Sequence, residues 1–291
     1  MERERLRKVQ GLLRRLGRRR SSRRQRYTDG AIVEVYFWSV ICDRPVAWAC
    51  DPSNWPPGLR RGTLPSQPAM SRRLRTAAVR ALIDRIEHLA RPPVQRPALV
   101  GVMDGKALTF ALHSGDAQSG TGRGVGHIAR GYKIHAVVDA AGRLLIWRLA
   151  SLNIDERVMA KRLLRDMPPC AYVVADAHYD SNSLYQIAAQ RGMQLVTPRR
   201  YGPGKGLGHQ AHHPARLRSK ALLEENASPF GAELLRHRRT IERVFAWLTG
   251  FAGGLVGLPP WVRTYRRVKA WVQSKIILAH LKGPLARADA A

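Results

Sequence analysis

Residues 171–200, AYVVADAHYDSNSLYQIAAQRGMQLVTPRR, decide how the fold is read. The apolar run 171–175 predicts a short buried strand that ends on Asp176. Ser181 to Arg191 predicts a helix with Gly192 as its C-cap, and Leu195–Thr197 a further strand. Asp180 is expected to cap the helix that opens at Ser181. A strand–helix–strand unit with an acid at the end of its first strand is part of an α/β sheet. Such sheets bind ligands in the crevice beyond their strand ends.

Upstream, ALVGVMDGKALTF (98–110) predicts a second buried strand, closing at Asp104 with Gly105 in a turn. The Gly- and Ser-rich stretch 113–131 predicts a loop. YKIHAVV (132–138) alternates like a strand, 139–142 is a turn, and 144–149 is a third strand, so the three form an antiparallel meander. Residues 155–167 predict a helix with Val158, Leu163 and Leu164 on its apolar face, opened by Asp155 and Glu156. Downstream, 201–218 predicts a loop and 229–251 one long helix. Gly253, Gly254, Pro259 and Pro260 break that helix before a last one over 264–281. Three meander strands, helix, strand, helix, strand and closing helices give the order of an α/β, RNase H-like fold. That fold is a mixed sheet flanked by helices on both faces. In it Asp104 and Asp176 lie on neighbouring parallel strands with their C-terminal ends side by side.

A third acid, Glu242, stands in RRTIERVFAWL (238–248), on a helix whose Ile241, Phe245 and Leu248 would pack on the sheet. Three carboxylates without a thiol or imidazole cluster suit Mg2+ or Mn2+ rather than Zn2+. Two such ions ~3.5–4 Å apart can clamp the attacking and leaving oxygens of an in-line phosphoryl displacement. Each acid also has a plainer reading. An Asp at a strand end can cap a turn, and Glu242 can pair with Arg238 or Arg239 in solvent. His178 can approach Asp176 or act locally. His209, His212 and His213 cluster without a partner Cys.

Charge narrows the partners. The chain carries 50 Lys and Arg against 21 Asp and Glu, a net of +29, which calls for a polyanion such as nucleic acid. Ribosomal and nucleoid proteins share this composition. No apolar run approaches the ~20 residues of a membrane helix, so no membrane partner is expected. The Arg-rich N-terminus lacks the apolar core of a secretory signal, and Glu2 and Glu4 argue against a mitochondrial presequence. Cys42, Cys50 and Cys170 are too scattered for a zinc knuckle or a disulfide framework, as expected of reduced thiols in a cytoplasm.

Three regions follow. Residues 1–27 form a basic N-terminal arm, with twelve Arg or Lys and two Glu among residues 1–26 and Leu6, Val9, Leu12, Leu13 and Leu16 at helical spacing. Residues 28–91 form a helical accessory region for DNA binding or dimerisation. It has a helix from Thr28 or Asp29 to about Cys42, then a loop over 51–65. A second helix starts at Ser66 and carries Leu74, Ala78, Leu82, Ile86 and Leu89 on one stripe. The pair resembles a helix-turn-helix, and a packing hairpin fits as well. RPPVQRP (91–97) is the linker, and 98–285 the catalytic domain.

These motifs together resemble the bacterial DDE-type insertion-sequence transposases. VVADAHYDSNSLYQIAAQRGMQLVTPRR matches the second-Asp region, MDGKAL the first-Asp strand, RGYKIHAVVDAAGRLL the strand pair after it and RRTIERVFAWL the Glu helix. Leu235 and Thr249 stand where some branches have Tyr and Lys. The resemblance implies that Asp104, Asp176 and Glu242 are catalytic and bind metal, with two Mg2+ (or Mn2+) ions. It implies cleavage and strand transfer at element ends. Partners would be double-stranded DNA, both element ends and target, and a second copy of the chain in a homodimer on DNA. The place of action would be the cytoplasm, at the nucleoid. Expected phosphate contacts are Lys133, Arg199, Arg200, Arg238, Arg239 and Arg243, with Arg72 and Arg73 in the accessory region. Two other functions fit the residues: a structure-selective nuclease on the same fold, and a non-catalytic basic nucleic-acid-binding protein. An inactive transposon relic would keep the fold alone.

Overall fold

The computed structural model describes residues 1–17, 26–59, 62–93, 96–110, 114–124, 126–201, 211–225, 229–250, 254–255 and 257–283. The chain opens with helices α1 (Glu2–Arg15), α2 (Asp29–Ile41), α3 (Val46–Ala49), α4 (Gln67–Arg73) and α5 (Ala77–Ala90). Strands β1 (Val100–Phe110), β2 (Gly120–Arg123), β3 (Ile128–Asp139) and β4 (Leu144–Ser151) follow. Then come α6 (Glu156–Asp166), β5 (Tyr172–Val174), α7 (Asn182–Gln190) and β6 (Gln194–Val196). Helices α8 (Pro214–Lys220), α9 (Pro229–Arg236), α10 (Arg238–Gly250) and α11 (Tyr265–Lys282) close the chain. Contacts divide it into two units: residues 1–93 with the chain from Leu248, and residues 94–247.

The first unit is helical. α2 is apolar on nearly every side, and Ile32, Val33, Phe37 and Val40 are fully buried, as expected of a central helix. Thr28 caps it by accepting the Ala31 N–H at 3.1 Å. α1 packs on α2 through buried Leu6 and Val9. The single helix expected from Ser66 is two. Thr76 bonds back to the Arg73 carbonyl through its N–H (3.0 Å) and its hydroxyl (2.8 Å), which ends α4. Its hydroxyl oxygen then caps α5. The buried face is therefore Val79, Ile83 and Ile86, while Ala78 is exposed. α11 packs on α2 and α5, with fully buried Lys275 donating to the Val40 carbonyl (2.9 Å) and Asp43 (2.6 Å).

The second unit is built on a mixed, RNase H-like sheet. β1 pairs antiparallel with β3 and parallel with β5, and β5 pairs parallel with β6. The outer edge of β3 is shared, with β2 on residues 128–131 and β4 on residues 132–138. α6 and α7 cover one face, setting Leu163, Leu164, Leu184 and Tyr185 against Met103, Val137, Val173 and Leu195.

Four expectations are corrected in this unit. β1 does not close at Asp104, and Gly105 is not in a turn. β3 runs beside β1 as far as Phe110, so both residues are mid-strand. β2 lies inside the stretch expected to be a loop. Its glycines serve close approach, since a Cβ at Gly120 would fall 1.9 Å from the Asn153 side chain. The stretch 201–218 contains the start of α8, although 202–210 lie outside the described residues. The long helix at 229–251 divides at His237 into α9 and α10.

Candidate active site

The β1–β5 pairing places the two aspartates. Its last pair is Val102 with Val174, and Asp104 and Asp176 each stand two residues further on. β5 ends there, which opens that flank of β1. Asp104 accepts the Gly105 N–H at 2.7 Å. Asp176 caps the turn at 177–179, accepting the His178 N–H at 2.8 Å, while the exposed His178 ring lies 3.3 Å from its other oxygen. Burial pushes the Asp104 carboxyl up to about 6. The nearby charges of Asp176 and Glu156 add to this, and the Gly105 N–H and Arg238 oppose it.

The charge of Glu156 acts on Asp104, and both charges act on Tyr179, whereas Lys133 and His135, opposite Ala107 and Gly105, stand on the other face of the sheet from Asp104. Asp155 caps α6 by accepting the Arg157 N–H at 2.8 Å, which leaves Glu156 free for another partner. Glu156 reaches β3 and pairs with Lys133 at 2.5 Å. Tyr179 is fully buried, and its hydroxyl has no hydrogen-bond partner among the described residues. Burial holds that hydroxyl well above its ordinary value, as do the charges of Glu156, Asp104, Asp176 and Asp155, so it stays protonated. His135, opposite Gly105 on β3, is also buried, with no hydrogen-bond partner for either ring nitrogen among the described residues. Burial and Lys133 push it down to about 3, so it is neutral. Sequence reading missed Glu156 as more than a helix start, and missed Tyr179 and His135 altogether. The HYD step after Asp176 was the available signal for Tyr179.

Glu242 is exposed on α10, between buried Ile241 and Val244. It follows Arg238 by four residues and so shares that residue's face, one turn along. The charge of Arg238 reaches Asp104. Among the described residues no three His, Cys, Asp or Glu side chains converge to hold a metal ion. The β1–β5 register sets Asp104 and Asp176 at neighbouring strand positions, and Glu242 stands exposed on α10.

The expected phosphate contacts differ in their freedom. Arg72, Arg200 and Arg239 are exposed, while Arg243, also on the surface, donates to the Thr240 hydroxyl. Arg199 pairs with Glu224. Arg73 is drawn inward, at 2.5 Å from Asp29 and 2.9 Å from the Tyr27 carbonyl. Asp180 does not cap α7. It is a buried ion-pair acid, bound by Arg216 (2.8 Å) and Lys220 (3.1 Å). His213 caps α8 by accepting the Ala215 N–H, and His212 faces Arg216 at 2.8 Å; His209 lies outside the described residues. The three cysteines are free, and no described helix is long and apolar enough to cross a membrane.

The family model described as "Transposase DDE domain" matches residues 95–258, more than half of the chain. The chain belongs to that family. None of the curated proteins matches it. As a DDE transposase domain it is of a family that uses a divalent metal, and its residues can be compared with that need. Asp104 and Asp176 offer the hard oxygen donors that Mg2+ or Mn2+ prefers. Burial of the Asp104 carboxyl beside the charge of Asp176 is the electrostatic condition a cation relieves. These features fit a divalent cation held by Asp104 and Asp176.

Proposed function

We propose that this transposase cuts DNA at the ends of an insertion sequence and joins the freed 3′-hydroxyls to target DNA, with Asp104, Asp176 and Glu242 as its catalytic, metal-holding acids. The observation that carries the reading is the equal step of Asp104 and Asp176 beyond the last β1–β5 pair, which sets two carboxylates at one sheet opening. A pair of Mg2+ or Mn2+ ions bound there would supply activation of the attacking oxygen and charge relief at the leaving one. Asp104 and Asp176 hold and orient. Glu242 is assigned as the third acid because it shares the face of Arg238, whose charge is felt at Asp104. Arg238 meets the phosphate near the acids. Arg199, Arg200, Arg239 and Arg243 track the strand, with affinity but no sequence information from these contacts. Residues 98–285 would be the catalytic domain. Residues 28–91, with Arg72 and Arg73, would bind ends or a second subunit in a homodimer on duplex DNA, and residues 1–27 would be a basic arm.

The test is Mg2+-dependent cleavage and joining of the element's own end DNA by the full chain. Asp104→Ala, Asp176→Ala and Glu242→Ala should each abolish both steps. Cleavage without joining would turn the reading to a nuclease. Full activity in Asp176→Ala would end it.

A further inference from the structure

Besides Asp104, β1 carries one more charged side chain, Lys106. We propose that Lys106 grips the phosphate at which DNA is cut and joined, next to the cation held by Asp104 and Asp176. This rests on those two acids holding the cation.

The pleat of β1 gives the placement. Side chains alternate between the two faces of a strand, so Val102, Asp104, Lys106 and Leu108 share one face, and Met103, Gly105 and Ala107 the other. The second face is the one that α6 and α7 cover, where Met103 is packed. Lys133, expected from the sequence to contact phosphate, stands opposite Ala107 on that covered face and is tied to Glu156. Lys106 is one pleat from Asp104 on the acid's own face, about 7 Å along the strand. Both lie beyond Val102, the last position of β1 that pairs with β5, and so both border the flank left open where β5 ends.

Nothing in the fold uses the Lys106 ammonium. Ile134 is directly opposite, with Ala136 and Tyr132 on the diagonals, so no carboxylate stands beside it on β3. Lys106 is partly exposed and makes no hydrogen bond or ion pair among the described residues. By contrast, Lys133, Lys220 and Lys275 each hold an acid. A flexible four-carbon stem one pleat from a metal-holding acid can bring its ammonium to an oxygen of the phosphate bound there. The charge then stands where negative charge gathers on the phosphate in the transition state. No internal partner is given up in the move.

The experiment is single-turnover cleavage of the element's own end DNA by the full chain, at saturating DNA and Mg2+, with the salt dependence of DNA binding measured alongside. Lys106→Met keeps the apolar stem and removes the charge. It should lower the cleavage rate roughly 100-fold and reduce the slope of log affinity against log salt by about one, with the melting temperature unchanged. Lys106→Arg restores a cation and should cleave faster than Lys106→Met. Lys161→Met removes the same charge from α6 and should leave rate and slope at wild type. Equal rates in Lys106→Arg and Lys106→Met would assign the loss to shape rather than charge and overturn the proposal. An equal loss in Lys161→Met would assign it to net charge, with the same result. A wild-type rate in Lys106→Met, with Asp176→Ala inactive, would overturn this inference alone. Cleavage that survives Asp176→Ala would overturn it together with the active-site assignment.

Discussion

Asp104 keeps its proton to a pH of about 6, where a solvated aspartic acid has lost it near pH 4. Between those values the folded chain binds more protons than the unfolded one, so this group lowers stability as pH rises through the window. Above about pH 6 the full penalty applies, on the order of 2–3 kcal/mol. Asp104→Asn removes it. Urea unfolding in EDTA should show the variant stabilised by about that amount at pH 7.5 and unchanged at pH 4; an equal effect at both would refute the mechanism. Asp180 behaves oppositely. Burial pushes its carboxyl up, but Arg216 and Lys220 overcome this and hold it below its ordinary value. Asp180→Ala strands two cations, one of them fully buried, and should destabilise the fold by about 3–5 kcal/mol in the same assay. These two acids also show what sequence can reveal about a site. Asp104 and Asp176 are legible because an acid after an apolar run is a local pattern. Asp180 has the signature of a helix cap, and its partners lie 36 residues on at Arg216 and further at Lys220. Glu156 meets Lys133 across 23 residues, through packing of a helix on a strand that no local pattern encodes. A tyrosine near an apolar run reads as core, and Tyr179 is core except for its one oxygen.

At the scale of elements, the β1–β3 ladder is the longest pairing in the sheet and depends on one close approach. A Cβ on Gly131 would fall 2.2 Å from the Leu108 carbonyl oxygen and 3.0 Å from the Thr109 Cα. Both contacts are backbone, so neither can yield without breaking the ladder at Leu108↔Tyr132 and Thr109↔Gly131. Gly131→Ala should therefore cost well over the roughly 1 kcal/mol of an average substitution. A melting temperature within a degree or two of wild type would contradict the contact. The same glycine explains why β2 and the start of β3 escape sequence reading. Strands are recognised by alternating apolar residues, and here Gly120, Gly122 and Gly131 replace them where backbones or side chains crowd. β5, β6 and the body of β3 are legible because their valines, leucines and isoleucines carry the burial. The α4–α5 break fails differently: Leu74 to Leu89 keeps helical spacing across it, while Thr76 stops one helix and starts the next by hydrogen bonds that periodicity does not register.

At the scale of the whole chain, the net charge of +29 is a statement about partners, whereas the first unit is held by apolar burial and a few buried polar joints. That unit is not continuous in sequence: residues 1–93 need the chain from Leu248. α11 is the reason. Val268, Trp271, Val272, Ile276, Ile277 and Leu278 are buried to within a few per cent, and the helix packs on α1, α2 and α5. At about 1.5–3 kcal/mol per fully buried apolar side chain, their loss is an upper-bound destabilisation on the order of 10 kcal/mol. Whole domains have only about 5–15 kcal/mol of net stability. Removing α11 also strips Asp84 and Glu87 of the Gln273 amide (2.7 and 2.8 Å) and Asp43 of Lys275. A chain ending at residue 250 should therefore lose amide-exchange protection throughout α2 and α5. The strands β1, β3 and β5 draw their pairing from residues 100–174 and should keep theirs. Protection retained in α2 after the truncation would show that the first 93 residues fold without α11. Protection lost equally in β1 would show that the two units unfold as one.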